Sequence, residues 1–294
     1  MEDVLKFIRS GIRIFDGGMG SMLIKLGHNP SQCPELADKE IIRKIHKAYL
    51  DAGAEFITTN SFGATSIKLN KWGLADKVAE INKRAVDNCR NLDKKNYYIA
   101  GGLGPTGEFI EPYGNLKYEE MVEIFTEQAK ALNNARVDLL LIETMSGLDE
   151  LKAAIEACKN TSNLLPIIPC MTFNKDTKGF HTIMGHNVES FVRLVDEENL
   201  DTIGTNCSLD PSVMPELVKE IRKYTAKPLL AQPNAGRPQL INEKTVYKKI
   251  DNLETHIKKI IENGANVVGG CCGTDPEYIQ IVSNIVKEYN KKNS

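Results

Sequence analysis

From residue 12 to residue 270 the chain repeats one pattern: a short apolar run, a turn rich in glycine, asparagine or proline, then a longer segment with apolar positions at helical spacing. The apolar runs fall at 12–15, 56–59, 98–100, 138–142, 167–172, 202–206, 228–232 and 267–270. Helical spacing fills 35–52, 75–92, 118–134, 148–159, 188–198, 212–224 and 251–263, and a short helix precedes the first run. Asp138-Leu139-Leu140-Leu141-Ile142 is almost wholly apolar, as expected of a strand buried on both faces. Pro169 argues against a fully regular ladder in the fifth run.

Strands that alternate with helices suit right-handed parallel crossovers, which leaves an open doubly wound sheet or a closed (β/α)8 TIM barrel. The barrel is favoured by where the unusual residues stand. Asp16, Asn60, Glu143, Cys207, Asn234 and Cys271 all lie at or just past the carboxyl ends of the runs, and in a barrel the loops of that rim converge. The length of 294 residues suits one such barrel, no linker divides it, and the expectation is a single α/β domain over residues 1–294. The segments 105–117 and 237–249 are the longest irregular excursions, both on the proposed active rim.

Charge excludes several partners. Lys and Arg total 37 against 39 Asp and Glu, a formal net charge of -2, with no basic stripe interleaved with aromatics for nucleic acid. No apolar run approaches the roughly 20 residues of a membrane-spanning helix, and the start Met1-Glu2-Asp3 lacks signal-peptide character. A cytoplasmic protein without a membrane partner is expected. Seven scattered cysteines, an odd number, argue for a reducing compartment with free thiols.

Two of those thiols, Cys271 and Cys272, are adjacent inside the frame Gly269-Gly270 and Gly273-Thr274. Neighbouring cysteines rarely bridge each other without strain, so the pair reads either as two ligands of one soft metal ion or as two small buried side chains. Cys207 ends the sixth run, one strand removed from the eighth, and the three could meet over a barrel mouth. Three thiolates with one exchangeable position describe a zinc site open to substrate. With a net charge of about -1 it would be a poor acid for water and suits a substrate thiol better.

Seven motifs in order carry a resemblance: Asp16-Gly17-Gly18-Met19-Gly20, Thr59-Asn60-Ser61-Phe62, Gly104-Pro105-Thr106-Gly107, Ile142-Glu143-Thr144, Gly204-Thr205-Asn206-Cys207, Pro233-Asn234-Ala235-Gly236 and Gly269-Gly270-Cys271-Cys272-Gly273-Thr274. Together they resemble the homocysteine S-methyltransferase family, and within it the homocysteine-binding module of cobalamin-dependent methionine synthase. The resemblance implies the (β/α)8 fold and zinc on Cys207, Cys271 and Cys272. It implies that Asp16 and Glu143 hold the amino group of L-homocysteine, and the backbone amides of Gly17 and Gly18 are suited to its carboxylate. Asn234 is the candidate oxygen ligand in the fourth zinc position. The implied reaction is attack of the homocysteine thiolate on an activated methyl group, giving methionine, with no catalytic side chain beyond the zinc-activated thiolate. The donor is either a methylcorrinoid (methylcobalamin) on a separate protein or a small sulfonium such as S-methylmethionine.

Other readings stand beside these. Asp16 could cap a turn, Glu143 could form a structural ion pair, and Asn234 could brace its loop. Asp210 stands where the family often has glycine, which puts the loop after Cys207 in question. The chain could also be a homocysteine-sensing or zinc-storing module without turnover, or a barrel hydrolase with structural thiols. His28, His46, His181, His186 and His256 form no pair at metal-ligand spacing, Cys33, Cys89, Cys158 and Cys170 have no local partner, and Trp72 alone makes no aromatic cage.

Overall fold

A computed structural model describes residues 3–29, 31–93, 96–161, 165–236, 238–241, 244–247 and 250–292. Eight parallel strands are labelled here in chain order: β1 Arg13–Ile14, β2 Phe56–Thr58, β3 Tyr98–Leu103, β4 Leu139–Met145, β5 Ile167–Met171, β6 Ile203–Asn206, β7 Leu229–Gln232 and β8 Val267–Val268. β1 pairs with β8, and the sheet then runs β7, β6, β5, β4, β3 to β2. A parallel bridge from Phe15 to Phe56 joins β1 to β2 and closes the ring. An open doubly wound sheet has two free edges; here the first strand lies between the second and the eighth, and the fold is the (β/α)8 barrel.

The period-2 alternation of each strand explains the two cores. Phe15, Phe56, Tyr98, Ala100, Leu139, Leu141, Ile168, Cys170, Leu230 and Val267 fill the interior. Their neighbours Ile14, Ile57, Ile99, Leu140, Ile142, Ile167, Ile203, Leu229 and Val268 face the surrounding helices. The helix Val4–Arg9 plugs the amino-terminal end, with Phe7 5.0 Å from the Tyr98 ring and 5.8 Å from Phe56. With its bottom closed by aromatics, the barrel has room for chemistry only at the carboxyl-terminal mouth.

Local departures from the expected elements have identifiable causes. The helix expected at 35–52 begins at Lys39, because the Asp38 carboxylate accepts the amides of Glu40 and Ile41 as an N-cap; Pro34–Leu36 form a separate 3-10 turn. A second such turn, Ala75–Lys77, precedes the helix Val78–Cys89. Pro169, which has no N–H to donate, stands opposite Ile142 at the start of a register shift in β4 that runs to Met145. Three helices were not anticipated: Met19–Lys25, Ser66–Asn70 and the last, Pro276–Lys292.

Of the two rim excursions, 105–117 is irregular with one bridge, Ile110 to Leu116. The other contains an antiparallel hairpin of Pro238–Ile241 and Lys244–Tyr247; Arg237, 242–243 and 248–249 lie outside the described residues, as do Met1 and Glu2. A second hairpin, Asn174–Asp176 with Gly179–His181, follows β5. Among the described residues no helix is long and apolar enough to cross a membrane.

Candidate active site

Cys207 follows β6, and Cys271 and Cys272 stand three and four residues past Val268, the end of β8. The loops that carry them are sewn together through the loop after β7. The Cys207 amide donates to the Gln232 carbonyl at 3.0 Å, the Cys271 amide to the Pro233 carbonyl at 2.9 Å, and the Ala235 amide to the Cys272 carbonyl at 2.9 Å. Cys207 and Ser208 both take left-handed backbone, with φ 63° and 56°, an uncommon choice for non-glycine residues. The consequence is that all three sulfurs come within 4.8 Å of one another, with Cys207 Sγ 3.9 Å from Cys272 Sγ.

Three thiols at that spacing cannot all ionise unaided. Hydrogen bonds from Cys207 and Cys271 hold the Cys272 thiol far below its usual value, against its burial, and the Tyr247 hydroxyl adds a further bond. Cys271 is pushed well up by its bonds to Cys207 and Cys272 and by burial. Cys207 is pulled down by its bond to Cys271, but the bond to Cys272 and burial outweigh this and raise it. The trio therefore favours a single thiolate, and a soft divalent cation is what would let all three ionise. Beside them Asn234 is 3% exposed and its Oδ1 is buried without a hydrogen-bond partner among the described residues, while its backbone amide donates to the Leu209 carbonyl at 2.9 Å. Three soft donors and an unsatisfied oxygen fit a zinc ion.

The two acids sit at the same mouth. Asp16 lies just past β1 and is 3% exposed, and its carboxylate accepts the Thr58 amide at 2.7 Å and the Thr58 hydroxyl at 3.0 Å. Burial raises its pKa to about 7 although both Thr58 donors oppose the shift. Glu143, half-buried inside the β4 register shift, is raised to about 8 by burial first and then by the negative charges of Asp16 and Cys272. The bulge re-aims the side chain of Glu143, as bulges beside active sites do. Thr144, next in the chain, has φ 63°, a conformation of order 1–3 kcal/mol above its preferred ones. Asn206 holds it there through two 2.8 Å hydrogen bonds.

The glycine loop after β1 is tied to the cysteine turn. The Gly18 amide donates to Thr274 Oγ1 at 3.0 Å, so that amide is engaged within the protein. A Cβ on Gly18 would stand 2.5 Å from the Cys271 carbonyl oxygen, and one on Gly17 would meet Thr274 Oγ1 at 2.7 Å and the Tyr49 ring at 2.8 Å. These glycines exist so that the loop after β1 can pack against the cysteine turn. Thr274 is the hub of that contact, donating to the Cys271 carbonyl at 2.7 Å while its own carbonyl accepts the Tyr49 hydroxyl at 2.9 Å.

Asp210 answers the question its residue type raised. It is 4% exposed, and its carboxylate accepts the Ser212 amide at 2.9 Å while its carbonyl accepts the amides of Val213 and Met214. A local turn that starts the helix Met214–Ile221 thus replaces whatever a glycine would have allowed. The structure does not bring the histidines into the mouth: His46 is buried against Cys89 at 3.4 Å, and His181 lies in the hairpin after β5. Sequence reasoning assigned no role to Asn206, Thr144, Thr274 or Tyr247, although the first three stand inside quoted motifs. Nothing in the residue pattern around Tyr247 marked it.

Comparison with known proteins agrees with this geometry. The chain is 28% identical to methionine synthase of Mycobacterium leprae (strain TN) over an alignment 310 positions long, gaps included, that takes in 98% of this chain and 25% of that protein. It therefore spans about a quarter of the length of that relative. The crystal structure of the homocysteine methyltransferase MmuM from Escherichia coli, metallated form, has a TM-score of 0.76 at 23% identity, over 93% of this chain and 96% of that one. The carboxyl transferase domain of Rhizobium etli pyruvate carboxylase is more distant, at TM-score 0.56 and 13% identity over 95% of this chain and 48% of that one; at such identities both structures show the shared fold alone. The family model described as homocysteine S-methyltransferase matches residues 13–286, and the chain belongs to the homocysteine S-methyltransferase family.

Proposed function

We propose that residues 1–294 act as one homocysteine-binding barrel that transfers a methyl group to the thiolate of L-homocysteine, giving methionine. The observation that carries this is the cluster of three sulfurs within 4.8 Å in a member of this family, with one buried and one half-buried carboxyl group at the same mouth. Cys207, Cys271 and Cys272 would hold zinc, with the unsatisfied Asn234 Oδ1 as the oxygen to be displaced by substrate. Zinc bound there supplies a lowered thiol pKa, so that homocysteine is held as the nucleophilic thiolate at neutral pH.

The chain's own groups do the rest. Asp16 and Glu143 receive the substrate ammonium; burial raises both acids, and for Glu143 the nearby negative charges of Asp16 and Cys272 add to it, and an incoming cation lowers them again and binds as a doubly charge-assisted contact. The Gly17 amide is the remaining candidate for the carboxylate. The closed, aromatic lower barrel keeps water from approaching the sulfur from below. In this reading the donor is a methylcorrinoid carried by a separate protein, in the cytoplasm, which the motif resemblance to the homocysteine-binding module of cobalamin-dependent methionine synthase favours.

Single-turnover assays test the reading. Zinc-loaded protein with homocysteine is expected to form methionine with a methylcorrinoid protein. Methionine from S-methylmethionine alone would reassign the donor, and none from either donor despite tight homocysteine binding would make the chain a binding module. Cys207→Ser, Cys271→Ser or Cys272→Ser should each lower bound zinc and abolish turnover. Full zinc occupancy and full activity in any one of them would refute the ligand assignment.

A further inference from the structure

Asn206 closes β6 one residue before Cys207 and is 1% exposed. Its side-chain amide reaches two other strands. Oδ1 accepts the Thr144 N–H at 2.8 Å, and Nδ2 donates to Thr144 Oγ1 at 2.8 Å and to Cys271 Sγ at 3.8 Å. Its backbone carbonyl accepts the Thr172 hydroxyl at 2.9 Å, tying it to the end of β5 as well. Both amide hydrogens and the amide oxygen are thus matched to groups from two sides of the mouth.

Thr144 immediately follows Glu143 and occupies the β4 register shift with φ 63°. A β-branched residue stays in left-handed backbone only when its surroundings hold it, and two of the holding bonds come from Asn206. The third bond goes to a sulfur of the thiol cluster, and hydrogen bonds to the groups around a metal fix the orientation of its ligands.

We infer that Asn206 is a positioning residue that sets Glu143 and Cys271 in register, fixing the distance between the ammonium end and the sulfur end of one bound amino acid. In effect the residue is a ruler for side-chain length. It rests on the assignments of Glu143 and the thiols proposed above. A site with a fixed span should favour homocysteine over cysteine, which is one methylene shorter, and one methylene typically gives a 10- to 200-fold ratio. A serine at 206 is too short to join Thr144 to Cys271. An aspartate can still accept the Thr144 amide but, ionised, donates to neither Thr144 Oγ1 nor Cys271.

The test uses the whole chain loaded with zinc, and in parallel with cobalt(II), as wild type, Asn206→Ser and Asn206→Asp. Metal per chain, the dissociation constants for L-homocysteine and L-cysteine, and the thiolate-to-cobalt charge-transfer band are measured. Expected are one metal per chain throughout, a homocysteine-to-cysteine preference lowered at least fivefold in both variants, and a shifted cobalt band. An unchanged preference with an unchanged band in either folded variant overturns the inference. So does loss of the metal, because Asn206 would then belong with the ligands rather than behind them. A wild type that takes up neither metal nor homocysteine would instead refute the proposed function.

Discussion

Asp16 is the most direct physical test of the mouth, because its carboxylate is buried without being paired to a cation in the interactions that set its pKa. Those are burial, which raises it, and the Thr58 donors, which lower it, with a net rise from 3.8 to about 7. The raised value means that the folded state holds a proton which the unfolded state has released, between roughly pH 4 and pH 7. Stability from this group is therefore largest below pH 4 and declines as pH rises through the folded value. A shift of about 3 units corresponds to about 4 kcal/mol, at 1.36 kcal/mol per unit. Asp16→Asn removes the titration and keeps the geometry: the amide oxygen can accept the Thr58 N–H while the amide nitrogen donates to Thr58 Oγ1. In metal-free protein the variant should thus be more stable than wild type at pH 8, by on the order of 2–4 kcal/mol, and by a smaller margin of about 1–1.5 kcal/mol at pH 5, where only the first part of the pH 4 to 7 window has been crossed. At roughly 2–4 °C per kcal/mol, that is several degrees in Tm. Chemical denaturation of both proteins at the two pH values reads the difference. An equal effect at pH 5 and pH 8, or a variant less stable at pH 8, would refute the claim that burial of this carboxyl works against folding.

Three further outcomes follow from named contacts. Glu143→Gln keeps the side chain's shape and removes the negative charge; homocysteine affinity should weaken by roughly 10- to 100-fold, about 1.4–2.8 kcal/mol, with zinc content unchanged by metal analysis. For wild type the folded Glu143 pKa of about 8 lies above neutrality, so homocysteine affinity should fall as pH drops below 8 and a proton must be displaced, a slope calorimetry should find reduced in the Gln variant, where only Asp16 and the substrate thiol still release protons. Gly18→Ala places a Cβ 2.5 Å from a backbone oxygen of the cysteine turn, which cannot rotate away. It should destabilise by roughly 1–3 kcal/mol and weaken zinc retention in a chelator competition, and wild-type retention would contradict the packing role given to this glycine.

The barrel was legible because it rests on periodicity. Leu139, Leu141 and Ile168 face inward while Leu140, Ile142 and Ile167 face the helices, and a chain that repeats such runs between amphipathic segments has few ways to bury them. The helix Pro276–Lys292 carries the same signal in Ile279, Val282, Ile285 and Val286, although no further strand follows it to mark it as a crossover. The cysteines and acids were legible by type and by position past strand ends. Their supports were not. Thr144 depends on left-handed backbone in a β-branched residue, which no propensity anticipates, and Asn206 acts across strands whose register the sequence does not print. The glycines at 17 and 18 were legible as a tight turn, but the close approach to Thr274, Tyr49 and Cys271 that leaves no room for a side chain there depends on how the first and last loops pack.

Where the chain breaks its own rules is itself an argument about function. Elsewhere in the barrel, strand residues alternate and the interior is apolar. At the mouth, within a few residues of five strand ends, stand a buried and a half-buried acid with raised pKa, three thiols that together favour one charge, an asparagine oxygen without a partner among the described residues, and three non-glycine residues at φ between 56° and 63°. Each departure opposes folding, and an apolar residue in its place would remove the opposition. Scattered, they would call for separate explanations. Gathered around one opening, they share a single remedy: a soft cation relieves the thiols and the asparagine, and a ligand with an ammonium relieves the acids. Homocysteine brings both the ammonium and a sulfur for the same metal, and that coincidence, independent of any likeness to other proteins, is why metal and amino acid should each raise the protein's stability, with the gain from homocysteine depending on the metal being present.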